Sequence, residues 1–317
     1  MKKKRFLVTG GAGFIGSHIV ERLYKEGHFV RVLDNFYSGK EKNLSFITTK
    51  ANFELIRGDI RDRKACENAC KGVDYVMHQA ALRSVPKSLD DPYEYNAVNI
   101  DGILTMLKAA HQAGVKRFVF ASSSSIYGDT NKFPEKESNL PRLISPYALS
   151  KLTGEYYCRI FSTIYGLETV SLRYFNVFGP RQALDDQYAV VIPKFIACIL
   201  NDEQPPIFGT GKQSRDFTYV EDIVQANILS ALTPGIQCEV FNVANGKNQT
   251  VLGLAAVLNK IIGKKIKPKL LPLRAGDVFK TLADVSRIRK LTGFKSKFSF
   301  EDGLRKTVDW FANSRTQ

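Results

Sequence analysis

Residues 5–23 read RFLVTGGAGFIGSHIVERL: an apolar run, a glycine-rich turn, then a helix-length segment. The run from Arg5 to Gly10 predicts a buried first strand, and residues 14–26 predict the first helix. Between them stand Gly10, Gly13 and Gly16, with Phe14 and Ile15 at the helix opening. Glycine in such a turn lets the backbone bend tightly and approach a pyrophosphate, which the unpaired amides and dipole of the helix N-terminus attract. Glycines also build ordinary turns, so the motif takes its meaning from the elements C-terminal to it.

Strand and helix alternate through the next 150 residues. Residues 29–34, 53–59, 73–80, 117–122 and 169–176 predict strands, and 62–70, 93–113 and 146–165 predict helices. This alternation predicts an α/β fold, a Rossmann-type doubly wound parallel sheet with ligands beyond the carboxyl ends of its strands. Asp34 ends the second strand, where a carboxylate can accept bonds from both adenosine ribose hydroxyls and repels a 2′-phosphate; NAD is expected rather than NADP. Asp59 and Ile60 come just after the third strand, where an adenine would lie, and Gln79, Ala80 and Ala81 after the fourth, beside the phosphates. After residue 176 the prolines at 193, 205 and 206 change the texture, before a helix at 219–232 and a strand at 240–245. A last helix is marked by Phe300, Leu304, Val308 and Phe311 at helical spacing. The expected division is a dinucleotide-binding domain over 1–175 with a return segment at 216–245, and a smaller interleaved C-terminal substrate domain over 176–215 and 246–317.

Composition narrows the class. With 317 residues, 44% of them hydrophobic, the chain can build a sizeable core. Basic residues before an apolar run suggest a signal peptide, but Gly10, Gly11 and Gly13 interrupt it, and no run approaches the roughly 18 residues of a membrane span. A cytoplasmic protein with no membrane segment is expected. Cys66, Cys70, Cys158, Cys198 and Cys238 form no CxxC pair, which suits a reducing compartment and predicts no metal site. The net charge of +15 favours anionic partners, but the basic residues are spread and no nucleic-acid motif accompanies them. A phosphorylated small molecule is expected, not nucleic acid.

SPYALSKLTGEYY, residues 145–157, sets Tyr147 and Lys151 one turn apart on a helix face. A free tyrosine titrates near pKa ~10 and is a poor base at neutral pH. A neighbouring ammonium and a positive nicotinamide ring would stabilise its phenolate. Alone, the pair better fits a surface tyrosine with a lysine stem beside it; the dinucleotide loop upstream reverses that reading. FASSSSIYG, residues 120–128, brings four serines to the carboxyl edge of the sheet. A nucleophilic serine needs a base, and none of His18, His28, His78 and His111 has a fitting context.

Together TGGAGFIG, the serine cluster, YALSK and RYFNVFGPRQ resemble the extended short-chain dehydrogenase/reductase superfamily, and within it the NAD-dependent UDP-sugar 4-epimerases, over residues 5–310. The resemblance implies Tyr147 as catalytic base, Lys151 on the nicotinamide ribose holding down the tyrosine pKa, and Ser123 on the sugar 4-oxygen, relaying its proton. It adds Asn35, Asn99, Ser122, Tyr174 and Val177 to the cofactor contacts. Ser84, Ser124 and Ser125 are implied at the sugar, Asn176, Arg215 and Arg274 at the diphosphate, Asp277 at the uridine ribose, and Val190, Val191 and Lys194 near the uracil. Thr281 stands where a bulky tyrosine would exclude an N-acetyl group, so UDP-N-acetylglucosamine and UDP-N-acetylgalactosamine are expected alongside the unacetylated pair. Related dehydratases carry Thr-Asp-Glu where this chain has Ser123, Ser124 and Ser125, which disfavours dehydration. Decarboxylation and a catalytically silent NAD-binding regulator stand as alternatives. Arg83 departs from the smaller residue common among close relatives. Residues 93–113 and 146–165 match helices of a four-helix interface, so a homodimer is expected.

Overall fold

The structure is a computed structural model that describes residues 3–183, 191–273 and 278–314. Seven strands form its central sheet: β1 (Arg5–Thr9), β2 (Phe29–Asp34), β3 (Phe53–Arg57), β4 (Tyr75–His78), β5 (Arg117–Ser123), β6 (Glu168–Tyr174) and β7 (Glu239–Val243). They lie in the order β7-β6-β5-β4-β1-β2-β3, every neighbouring pair parallel. The interior strands read as near-continuous apolar runs because both faces are covered. Edge strand β3 is half-exposed and carries charge, with Arg31 of β2 donating to Glu54 at 2.8 Å.

Helices close the two faces. On one, α1 (Phe14–Lys25) and the later helix Val220–Leu232 cover a core containing Val8, Ile19, Val32, Val170 and Phe241. On the other lie α2 (Arg63–Cys70), α3 (Gly102–Gln112) and α4 (Pro146–Tyr165), over Leu7, Val76, Phe118 and Phe120. The starts of α2 and α4 are fixed locally: Asp62 accepts from the amides of Lys64 and Ala65, and Ser145 accepts from that of Ala148, with Pro146 at the first position of α4. Gly166, at φ 73°, ends α4.

A third apolar cluster, containing Phe178, Phe195, Ile207, Leu254, Leu258, Leu304 and Phe311, lies outside the sheet. It draws on helices Val191–Leu200 and Val251–Ile262, which the sequence reading leaves unassigned, and on the expected C-terminal helix Phe300–Asn313. VIPKFIACIL and VLGLAAVLNKII are apolar almost throughout, but their buried residues recur at helical spacing: Ile192, Phe195, Ile196 and Ile199 in the first, Val251, Leu254, Ala255 and Leu258 in the second.

Two expected elements differ in detail. The helix expected over 93–113 is a short helix Pro92–Asn96, a widened π turn Ala97–Asp101, and then α3. The serine cluster straddles an element boundary: Ser122 and Ser123 end β5, while Ser124 and Ser125 begin a 3-10 turn reaching Tyr127. No helix among the described residues is long and apolar enough to cross a membrane.

Candidate active site

The parallel register delivers the chemistry to one edge. Thr9 pairs with both Leu33 and His78, and Ser122 and Ser123 pair with Arg173 and Tyr174. The residues just past β1, β2, β4 and β5 therefore converge beyond the carboxyl ends of the strands. Every residue expected at the cofactor, except Asn99 and Val177, lines one cavity of about 400 Å³.

The glycine turn is sterically obligatory. Gly10 has φ +65°, and a Cβ there would lie 2.8 Å from the Ala80 amide nitrogen. A Cβ on Gly16 would lie 2.1 Å from the Gly10 carbonyl oxygen. Asp34 accepts from the Ala12 amide at 2.9 Å and the Phe36 amide at 2.8 Å, which fixes its carboxylate at the cavity wall; burial raises its pKa. Asp59 is held by the Arg61 side chain, the Arg61 amide and Asn35, and its pKa is drawn down to about 2, first by the hydrogen bond from Arg61.

Asn99 and Val177 lie elsewhere. Asn99 sits on the π turn, accepts from the Leu82 amide at 2.8 Å, and donates to the Leu82 carbonyl at 2.9 Å and to Ser150 Oγ at 3.0 Å. It thereby ties the loop after β4 to the helix that carries Tyr147. Val177 pairs with Thr218 in a short parallel ladder.

Tyr147 and Lys151 both line the cavity. Lys151 Nζ donates to the Ala121 carbonyl at 2.8 Å and stands 5.9 Å from the Tyr147 ring centre. Burial lowers the Lys151 ammonium to about 7. Burial raises the Tyr147 phenol, while a hydrogen bond with Ser123 and the charge of Arg83 draw it back down. The Ser123 oxygen also accepts from the Ser125 amide at 3.1 Å and the Ser125 hydroxyl at 2.9 Å.

Ser122 has a different neighbour. Its hydroxyl donates to Glu155 Oε1 at 2.5 Å, and Glu155 is gripped from the other side by Arg173, at 2.9 and 2.7 Å. Glu155 and Arg173 are both buried; their pairing holds the end of β6 against α4, and the Ser122 bond holds the end of β5 there. Tyr174 belongs to a second buried network, with its hydroxyl bonded to Gln79 and Asn227.

The expected substrate residues divide into groups. Asn176, at φ 34°, donates to the Asp216 carbonyl at 3.1 Å and to Thr281 Oγ1 at 3.0 Å, while Arg215 donates to the carbonyls of Ser214 and Phe279. Asn176, Arg215 and Thr281 are therefore brought together. Thr281 is buried, and its hydroxyl accepts from both Asn176 and the Asp216 amide, so it also serves as a strut. Ser84 caps a short helix, Val85–Asp90; Val191 and Lys194 lie in the first turns of helix Val191–Leu200. Val190, Arg274 and Asp277 lie outside the described residues.

The cavity also takes residues that sequence reasoning passes over. Tyr37, Lys40, Lys42 and Asn43 come from the loop after β2, and Trp310 and Phe311 from the C-terminal helix. The basic loop residues carry a sequence signal, standing just past the acidic end of the second strand. Trp310 and Phe311 carry none, because helical spacing shows a buried face and not what it meets.

Comparison with known proteins bears on this geometry. Residues 6–244 match the family described as the NAD dependent epimerase/dehydratase family. A solved UDP-N-acetylglucosamine 4-epimerase from Methanobrevibacter ruminantium, in complex with UDP-N-acetylmuramic acid, is 45% identical and superposes with a TM-score of 0.95, covering 99% of this chain and 100% of that one. A putative UDP-glucose 4-epimerase of Methanocaldococcus jannaschii is 36% identical, over 97% of this chain and 98% of its own. A UDP-N-acetyl-alpha-D-glucosaminuronate decarboxylase of Bacillus cytotoxicus is 35% identical, over 98% of each.

Proposed function

This chain belongs to the NAD-dependent epimerase/dehydratase family, and from that premise we propose that it interconverts the C4 epimers of a UDP-hexose, chiefly UDP-N-acetylglucosamine and UDP-N-acetylgalactosamine, with UDP-glucose and UDP-galactose as a second pair. The observation that carries this reading is the meeting of Tyr147 and Ser123 at the carboxyl end of β5, where Ser123 draws the phenol's pKa down, with serines rather than carboxylates at positions 124 and 125. A proton can move there between a sugar hydroxyl and the phenol, and neither Ser124 nor Ser125 supplies the acid and base that dehydration requires. The 45% identity to a UDP-N-acetylglucosamine 4-epimerase supports the acetylated pair, as does the small residue at Thr281.

The residues present fit NAD. The cradle that added Cβ atoms on Gly10 and Gly16 would fill suits a pyrophosphate, Asp34 suits the adenosine ribose, and Asp59 with Ile60 bounds the adenine end. Bound there, NAD supplies a reversible hydride acceptor. Tyr147 accepts the proton of the sugar 4-hydroxyl through or beside Ser123, and later returns it. Lys151, anchored on the Ala121 carbonyl, is placed to hold the nicotinamide ribose. Asn176 and Arg215 would meet the diphosphate, with Arg274, Asp277 and Val190 completing the uridine end and Ser84, Ser124 and Ser125 the sugar.

In this reading residues 1–175 with 216–245 bind the cofactor, and the segments around the third apolar cluster bind the UDP-sugar. Leu149, Tyr156, Ile160 and Ile164 leave an exposed apolar stripe on α4, which suits burial against a second copy. Sedimentation at micromolar concentration should give twice the chain mass; a monomer throughout would remove the dimer.

Incubation with UDP-N-acetylglucosamine, monitored by proton NMR, is expected to show its galacto epimer appearing. Absence of conversion of any UDP-hexose would overturn the reading. Carbon dioxide release from an acidic UDP-sugar would favour instead the decarboxylation for which the Bacillus cytotoxicus relative is named.

A further inference from the structure

Asp216 is fully buried at the end of a short strand, Ser214–Asp216, that also carries Arg215. Its Oδ1 accepts from the Asn245 amide at 3.1 Å, and its Oδ2 from the amides of Gly246 at 3.1 Å and Ala283 at 3.2 Å. Its backbone is engaged as well: the amide donates to Thr281 Oγ1 at 3.0 Å, and the carbonyl accepts from the Asn176 side chain at 3.1 Å. One residue therefore ties together the turn after β7, the segment 281–283 and the turn after β6. Segment 281–283 is gripped at each amide in succession: Thr281 donates to the Ser214 carbonyl at 3.1 Å, Leu282 to Glu135 Oε2 at 2.8 Å, and Ala283 to Asp216. Glu135 is buried too, and its own amide donates to the Leu282 carbonyl at 2.7 Å.

Burying a carboxylate is unfavourable unless both oxygens are satisfied, and an apolar side chain would fill the same volume without that penalty. What a carboxylate adds is two acceptor oxygens, which can fix backbone amides from separate segments at once. The segments fixed by Asp216 are those that hold Asn176, Arg215 and Thr281. Arg215 precedes it on the strand and reaches the Phe279 carbonyl at 3.3 Å, while Asn176 and Thr281 bond both each other and the Asp216 backbone. We propose that Asp216 is a positioning residue for the nucleotide-sugar, setting Asn176, Arg215 and Thr281 at their mutual places, with Glu135 as the second acid that holds segment 281–283. This rests on the UDP-sugar reading above, which puts those three residues at the substrate. Asp216, being fully buried, acts through them.

The test compares wild-type holoenzyme with Asp216→Asn and Glu135→Leu, measuring calorimetric Kd for UDP, KM and kcat for UDP-N-acetylglucosamine, bound NAD and the thermal midpoint. Asparagine keeps the shape of aspartate but turns one acceptor oxygen into a donor, so either the Asn245 amide or those of Gly246 and Ala283 lose their partner. Kd for UDP and KM should rise about tenfold or more, while kcat stays within about threefold and NAD remains bound. Glu135→Leu, which removes the acceptor of the Leu282 amide, should shift the same two constants in the same direction and by less. A lowered thermal midpoint with Kd and KM unchanged would make Asp216 a structural residue only and overturns the proposal; so does a loss confined to kcat or to bound NAD. If Asp216→Asn does not fold, Glu135→Leu decides: a raised Kd for UDP supports the proposal and an unchanged one overturns it. If the wild type binds UDP but epimerises no UDP-hexose, the reaction assigned to the site fails, and the change in Kd for UDP still decides the role of Asp216. Failure of the wild type to bind UDP overturns both.

Discussion

Tyr147→Phe is expected to lower kcat for UDP-N-acetylglucosamine by about 10²–10⁴-fold, the range for removal of a general acid-base group. The side chain stays aromatic, so the edge-to-face contact with Tyr95 and the packing of α4 survive. The change removes only the hydroxyl, whose pKa Ser123 draws down. The variant should keep its bound cofactor, its thermal midpoint and its affinity for the nucleotide sugar. The ionisation that the phenol contributes to the pH profile of kcat should vanish as well. Turnover within tenfold of wild type would mean that another group carries the proton.

The second large effect falls on stability. Glu155→Ala leaves the Arg173 guanidinium buried without its bidentate partner and frees the Ser122 hydroxyl. Breaking a buried pair by removing one member costs about 3–5 kcal/mol, because the remaining charge stays desolvated. The double variant Glu155→Leu with Arg173→Leu should recover much of that loss, since no charge is then stranded. Urea unfolding of the two variants gives the comparison directly. A loss below about 1 kcal/mol for Glu155→Ala would place the pair among the weak surface contacts.

Both effects meet at the serine cluster, where sequence and structure part in an instructive way. The fold was legible because it obeys short-range rules. Buried parallel strands show as apolar runs, and the Gly10 turn needs a residue that tolerates both positive φ and contact with the backbone of Ala80. Asp34 was legible for a similar reason, as an acid at the end of a strand with no apolar role.

The remainder depends on partners far apart in sequence. Nothing local says that Ser122 bonds Glu155, 33 residues away, or that Asn99 clamps Leu82 on a loop belonging to another strand. Thr281 was legible as small, but its use as an acceptor for Asn176 and the Asp216 amide needs the fold. A tyrosine placed there would displace two hydrogen bonds besides filling volume, so smaller changes are the sounder probe of sugar choice. Arg83 is the converse case: its oddity showed in the sequence, while the anchoring of the backbone on either side of it, by Asn99 and Tyr95, showed only in the structure.

Proton NMR of UDP-N-acetylglucosamine incubated with the holoenzyme in D₂O tests the proposed epimerisation at its reacting carbon. The galacto epimer should appear with its C4 hydrogen retained, because that hydrogen stays inside the site while Tyr147 exchanges only the hydroxyl proton. Deuterium at C4, or the absence of any epimer, would contradict it.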